Sequence, residues 1–280
     1  MNEAALLRCE GLSVRFGGLT ALNGFDLWLR EGEILGLIGP NGSGKTTFFN
    51  TLTGLYRPAS GRAWFAGAEI TGLRPQAIYD VGIARTFQRS RLCLPLSVFD
   101  NLMIGNHRRL SLGLWFNLFR RSRFVEELRR HVERARDLLA AFHPKLPERL
   151  FDPAGALGMI DRRRVEVCRA LISAPRLLLL DEPSAGMTHD ETRELMDDIL
   201  ATRERLPGLS IILIEHEMGV IERVSDRCVV LNFGEKICEG PFATVVADPQ
   251  VQEAYLGAEI EVRPSPFQRE VRSGMGHDRA

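Results

Sequence analysis

The chain lacks net charge: 36 lysines and arginines offset 36 aspartates and glutamates across 280 residues. That balance argues against a nucleic-acid protein relying on overall basicity. Paired cysteines are missing too. Cys9, Cys93, Cys168, Cys228 and Cys238 are odd in number, scattered and without a C-x-x-C spacing, which points to free thiols in a reducing compartment rather than disulfides or zinc. No apolar run approaches the ~20 residues that cross a bilayer, and residues 1–7 lack the basic-then-apolar layout of a signal peptide. Internal repeats and low-complexity tracts are absent. These absences lead us to expect a cytoplasmic protein that meets a membrane only through partners.

What is present is 45% hydrophobic residues, enough at this length for one domain with an elaborated second lobe. Charge is clustered even though it cancels. Residues 107–136 hold nine arginines against three glutamates, giving either a solvated helix face or a surface near anionic lipid headgroups. Period-2 patterning at 12–16 and 25–29, with Gly17-Gly18 between, predicts an antiparallel pair, and a strand at 62–65 with a tight turn at Gly67 rejoins it. From about residue 92 to 165 the pattern is helical, with Phe124, Leu128, Val132, Ala135, Leu138, Leu139 and Phe142 on one stripe. Two apolar runs, 177–180 and 211–214, read as buried parallel strands joined by a crossover helix over 191–204. The expected architecture is doubly wound α/β with an antiparallel β subdomain and an inserted helical subdomain. The domain should span 1–257, its helical part about 92–165, and 258–280 should be a loosely held tail.

The stretch Gly39-Pro40-Asn41-Gly42-Ser43-Gly44-Lys45-Thr46 matches G-x-x-x-x-G-K-[ST] at every fixed position. It stands between the apolar run 34–38 and a helix-like segment 47–52, the context a phosphate cradle requires. The glycines let backbone N–H groups surround phosphate oxygens, Lys45 supplies a charge toward the β and γ phosphates, and the Thr46 hydroxyl can ligate Mg²⁺. Asp181 and Glu182 follow the 177–180 run, at the strand end where open α/β sheets bind ligands. Asp181 is expected to hold Mg²⁺ through its water shell, and Glu182 to polarise the water that attacks the γ-phosphate. His216 follows the 211–214 run in Ile-Glu-His-Glu, which puts it at the same sheet edge as a donor to the γ-phosphate. Gln88, in Arg85-Thr86-Phe87-Gln88, lies where sheet gives way to helical lobe and is suited to ligating Mg²⁺ and orienting water.

From about residue 6 to 257 these features resemble the ATP-binding subunits of ABC transporters, a P-loop NTPase (ABC ATPase) fold, and most closely those of branched-chain amino acid importers. The subgroup likeness rests on Arg15-Phe16-Gly17-Gly18-Leu19-Thr20-Ala21-Leu22, Val229-Val230-Leu231-Asn232-Phe233-Gly234 and Glu253-Ala254-Tyr255-Leu256-Gly257. The resemblance implies adenine stacking by Phe16, ATP binding by residues 39–46 with Thr47, a Q-loop at Gln88, a D-loop at 184–188 and a switch histidine at His216. Mg²⁺ would be held by Thr46, Gln88 and Asp181. The family's signature Leu-Ser-x-Gly-Gln falls on Leu157-Gly158-Met159-Ile160-Asp161, counted back from Arg169-Ala170-Leu171. A register shifted onto Gly155 and Gly158 breaks that spacing. The signature is therefore degenerate: the serine hydroxyl is gone, Ile160 replaces a glycine, and Asp161 brings negative charge toward phosphate.

In this family the signature of one subunit completes the ATP site of another. The resemblance thus implies a heterodimer with a second ATPase subunit, transmembrane permease subunits, no nucleic acid, and a peripheral place on the cytoplasmic face of the membrane. A soluble ABC-type ATPase unconnected with transport stays open here, although it usually carries two cassettes or coiled-coil insertions. A P-loop kinase or GTPase fits less well, because no Asn-Lys-x-Asp guanine reader is present.

Overall fold

The computed structural model describes residues 5–86, 92–109 and 121–256. The alternating N-terminal segments form the antiparallel pair they predict. β1 (Leu7–Phe16) runs against β2 (Leu19–Leu29) with Leu7 opposite Leu29 and Phe16 opposite Leu19. β4 (Ser60–Phe65) rejoins on the other edge of β1, and the two-residue β5 (Ala68–Glu69) completes a four-stranded sheet.

The second sheet has six strands in the order β10-β9-β3-β8-β7-β6. β3 (Ile34–Ile38), β6 (Ile83–Arg85), β7 (Leu177–Asp181), β8 (Ser210–Ile214) and β9 (Arg227–Asn232) are parallel, while β10 (Glu235–Gly240) folds back antiparallel on β9. The central strands β3, β7 and β8 show no polar alternation because both of their faces are covered. Leu178 and Leu180 enter the core beneath most of the helices, whereas Leu177 and Leu179 enter the core shared with the antiparallel sheet and α1 (Lys45–Leu52). All four are buried, and each such side chain contributes about 1.5–3 kcal/mol.

Among the described residues the remaining α-helices are α2 (Pro75–Asp80), α3 (Val98–Gly105), α4 (Arg121–Phe142), α5 (Met159–Leu171), α6 (His189–Arg205), α7 (Met218–Val224), α8 (Phe242–Val246) and α9 (Pro249–Leu256). Two begin on capping boxes, Ser97 with Asp100 and Thr188 with Glu191, each satisfying otherwise orphaned N–H groups. The Thr188 box starts the crossover helix two residues earlier than its apolar pattern indicates. The stripe along α4 is used only toward its C-terminal end. Ala135, Leu139 and Phe142 are buried, but Phe124 and Leu128 are about 40% exposed, at 40% and 41%. The physical reason is position: the core contacts of α4 come from its C-terminal half, where Val132 and Leu138 also pack. Among the described residues no helix is long and apolar enough to cross a membrane. The segment 258–280 lies outside the described residues.

Candidate functional site

Between β3 and α1 the chain makes the loop 39–44, and its backbone explains the glycines. Gly39 has φ 150° and Gly44 φ 110°, in the region that side-chain-bearing residues avoid. A Cβ on Gly39 would stand 2.0 Å from the Leu231 carbonyl oxygen, and one on Gly44 would stand 2.6 Å from that of Ala21. The loop is therefore pressed against the β9–β10 turn, whose Gly234 N–H donates to the Ser43 carbonyl at 2.8 Å. Asn41, Gly42 and Thr46 are exposed, Pro40, Gly44 and Thr47 half-buried, and Ser43 buried. α9 also reaches the loop. Burial raises the Tyr255 hydroxyl pKa, and a hydrogen bond with the Gly39 backbone opposes that rise.

Lys45 is buried, and its Nζ donates to the carbonyls of Gly39 at 2.7 Å and Pro40 at 2.8 Å and to Ser43 Oγ at 3.4 Å. Desolvation pulls its pKa below the ordinary lysine value, while Glu182 and Asp181 push the other way. The ammonium thus lies within the field of the acids that end β7, although they are more than a hundred residues away in sequence.

The two acids are held differently. Asp181 is buried; Arg85 Nη2 donates to its Oδ2 at 2.6 Å, and its own N–H donates to Thr86 Oγ1 at 3.4 Å. Glu182 sits in the left-handed region at φ 48°, a strained conformation that clusters at functional sites. Its N–H donates to the Ile214 carbonyl at 2.9 Å, tying the end of β7 to that of β8. Its Oε1 lies 2.7 Å from His216 Nε2. The strand-end positions read from the sequence thus bring Lys45, Asp181, Glu182 and His216 to one edge of the sheet.

Phe16 closes β1 with 44% of its surface open and its ring edge-on to Tyr56 at a centroid distance of 5.0 Å, an accessible aromatic platform. Gln88 lies outside the described residues. A cation beside Thr46 and Asp181 would meet one hydroxyl and one carboxylate. Among the described residues no cluster of three His, Cys, Asp or Glu surrounds it. Few protein oxygens, with phosphate and water supplying the rest, is the donor set that suits Mg²⁺.

The segment 157–161 opens α5. Gly158 is its N-cap at φ −65° and ψ 169°, an ordinary conformation, and a Cβ there would meet nothing within 4 Å. Met159 is 54% exposed and Ile160 half-buried. The electrostatic expectation for Asp161 needs correction: its Oδ1 accepts from Arg164 Nη1 at 2.9 Å, so its charge is partly balanced within the chain. Arg164 also donates to Glu194 at 2.5 Å and Asp198 at 2.8 Å on α6. Burial works to lower the Arg164 pKa, but these carboxylates hold it above its ordinary value.

Sequence reading missed three participants. Arg85 and Asn50 are joined at 2.6 Å, and Glu215 accepts from Ser184 N–H at 2.9 Å and Oγ at 2.7 Å. Burial raises the Glu215 pKa while the Ser184 hydrogen bonds oppose it. Adjacency to Gln88 and to His216 could have flagged Arg85 and Glu215; no local signal singles out Asn50.

Residues 22–185 match the family described as ABC transporter, and residues 235–261 match the family described as branched-chain amino acid ATP-binding cassette transporter. The chain is 40% identical over 252 residues to the high-affinity branched-chain amino acid transport ATP-binding protein LivG of Salmonella typhimurium, covering 90% of this chain and 98% of that one. It is 38% identical over 252 residues to the corresponding protein BraF of Pseudomonas aeruginosa, with the same coverage, 90% and 98%. A solved ATP-binding cassette of an ABC transporter in its ADP conformation superposes with a TM-score of 0.78 at 31% identity, covering 90% of this chain and 99% of the other. These likenesses favour transport over the soluble alternative. The chain belongs to the ABC transporter family, as an ATP-binding ATPase subunit coupled to transport.

Proposed function

We propose that this subunit energises the uptake of branched-chain amino acids through transmembrane permease subunits, working from the cytoplasmic face of the membrane. The observation that carries the catalytic reading is the convergence of Lys45, Asp181, Glu182 and His216 at one sheet edge, with Glu182 and His216 2.7 Å apart. The substrate class rests on the LivG and BraF relatives.

Phe16 stacks on the adenine, and residues 39–47 wrap the phosphates with backbone N–H groups. Lys45 exchanges the carbonyls of Gly39 and Pro40 for β- and γ-phosphate oxygens. Thr46, Asp181 and Gln88 would hold Mg²⁺, which when bound would neutralise charge developing on the phosphate oxygens. Glu182 accepts a hydrogen bond from the attacking water and draws its proton, raising the nucleophilicity of the oxygen. His216 orients the Glu182 carboxylate and supplies the donor to the γ-phosphate.

The degenerate signature supports an asymmetric pair. Gly158 offers no hydroxyl and Ile160 hinders close backbone approach, so the site that this chain's α5 completes on a partner hydrolyses weakly. A second ATPase subunit with an intact signature completes the site built on this chain's own Lys45 and Glu182. The exposed Leu94 and Leu96, 42% and 39% open beside the capping Ser97, face the permease, whereas Phe99 is a core residue at 9%. We assign residues 1–257 to the ATPase domain, with the helical part at about 92–165, and 258–280 to a loosely held tail.

The test is the complete complex in proteoliposomes. ATP-driven leucine uptake is expected, and Glu182→Gln should bind ATP yet lose ~10²–10⁴-fold in turnover. Near-normal turnover in that variant would overturn the assignment of Glu182. Absence of leucine transport by the active wild-type complex would overturn the substrate class.

A further inference from the structure

Arg85 ends β6 opposite Leu179 of β7, two residues before Asp181. Its guanidinium spans two elements. Nη2 donates to Asp181 Oδ2 and Nη1 to Asn50 Oδ1 of α1, both at 2.6 Å, while its Cζ stands 5.3 Å from the centre of the Phe49 ring. The side chains of Arg85 and Asp181 are only 7% and 4% exposed, so water screens this pair little. The neighbouring Thr86 completes the hold: its N–H donates to the Leu179 carbonyl at 2.9 Å, and its hydroxyl accepts from the Asp181 N–H at 3.4 Å.

We propose that Arg85 is a positioning residue for Mg²⁺-dependent nucleotide binding, fixing the Asp181 carboxylate against α1 so that its second oxygen is presented to the metal's water shell. The inference rests on the reading of Asp181 as the Mg²⁺-side carboxylate. A planar fork is needed because the two acceptors lie on different elements and must be met in one fixed geometry, which a single ammonium cannot supply. With Oδ2 committed to Arg85, carboxylate rotation is blocked and Oδ1 is the oxygen on offer. Asn50 gives the arrangement its second function. It registers the orientation of Asp181 to the helix that begins at Lys45, so the phosphate loop and the acid are held as one unit. A plain structural ion pair would staple α1 to the sheet equally well, but it would not discriminate between metal-loaded and metal-free nucleotide.

That difference defines the test. Affinity of the full chain for a fluorescent ATP analogue is measured with Mg²⁺ and with EDTA, alongside thermal melting. Arg85→Met should bind ~10–100-fold more weakly in Mg²⁺, the usual range for losing an outer-shell partner, and bind like the wild type in EDTA. Arg85→Lys should recover part of the Mg²⁺ effect, and Asn50→Ala should lose part of it. Equal weakening in both conditions would mean a staple and overturn the proposal, as would full Mg²⁺ enhancement in a folded Arg85→Met. If Arg85→Met fails to fold, Arg85→Lys decides: wild-type Mg²⁺ enhancement there overturns the proposal. Asp181→Asn separates the two layers. If it keeps the Mg²⁺ enhancement, the reading of Asp181 fails; if it loses the enhancement while Arg85→Met keeps it, only the role of Arg85 fails.

Discussion

The phosphate loop and the N-terminus of α5 both start helices, and both carry glycine at the start, yet they are built under opposite constraints. A Cβ on Gly39 would stand 2.0 Å from the Leu231 carbonyl oxygen and the residue is held at φ 150°, while Gly158 has ordinary dihedrals and open space around it. Around the first, residues from distant parts of the chain converge, with Lys45 feeling Glu182 and Asp181. Around the second, Arg164 gathers Asp161, Glu194 and Asp198 and anchors α5 to α6. The comparison teaches that the loop is fixed by close approach at Gly39 and Gly44, where an added side chain would collide with neighbouring backbone. The signature segment has lost a hydroxyl that its backbone still has room to carry.

The largest effect should come from Gly39→Ala. The added methyl must displace the Leu231 carbonyl, so nucleotide binding should be abolished, with overpacking also costing on the order of 1–3 kcal/mol. Nucleotide titration and thermal melting check this, and normal affinity would show that the loop is less confined than the close approach implies. Next is Arg164→Met, which leaves three carboxylates facing one another. We expect a loss of about 3 kcal/mol, the lower end for a broken buried pair, because Glu194 is half-exposed.

That deficit should depend on pH. Desolvation already raises the Asp198 pKa above 3.8, with Arg164 opposing the rise, so removing Arg164 raises it further. A carboxylate whose folded pKa exceeds its unfolded value favours the fold below the unfolded pKa and loses that contribution as pH rises through the folded one. The gap between Arg164→Met and wild type should therefore narrow as pH falls toward 4, and denaturant melts across that window would show it; a constant gap would mean that lost packing, not charge, sets the cost.

A third change sharpens the comparison by repairing the weak side. Gly158→Ser, Ile160→Gly and Asp161→Gln together should raise ATPase of the isolated chain ~10–100-fold, the equivalent of one charge-assisted donor. Full turnover by the unmodified chain alone would refute the asymmetric pair. The smallest effect is that of Gly158→Ser by itself on stability. Serine and glycine differ by only a few tenths of a kcal/mol at an N-cap, so melting should hardly move; a marked loss would contradict the open space at Gly158.

Much of the site was legible because its signals are local. The spacing of residues 39–46, the acids after four leucines and the histidine after a second apolar run each name a strand end, and parallel strands put their ends on one edge. Gln88 and the tail 258–280 lie outside the described residues, so their expectations stand as proposals. The exposed first half of the α4 stripe was not legible, because periodicity records which side chains share a face and not whether anything covers it. The sequence by itself determined the strand runs buried on both faces, the phosphate loop and the missing signature hydroxyl, since each depends on residue type and short-range spacing. Only the tertiary structure decided that Arg85 joins Asp181 to Asn50, that Glu182 meets His216, and that Asp161 is claimed by Arg164. Those choices belong to side chains brought together across the sheet and between helices, where distance in space and burial, rather than order along the chain, set which charges pair.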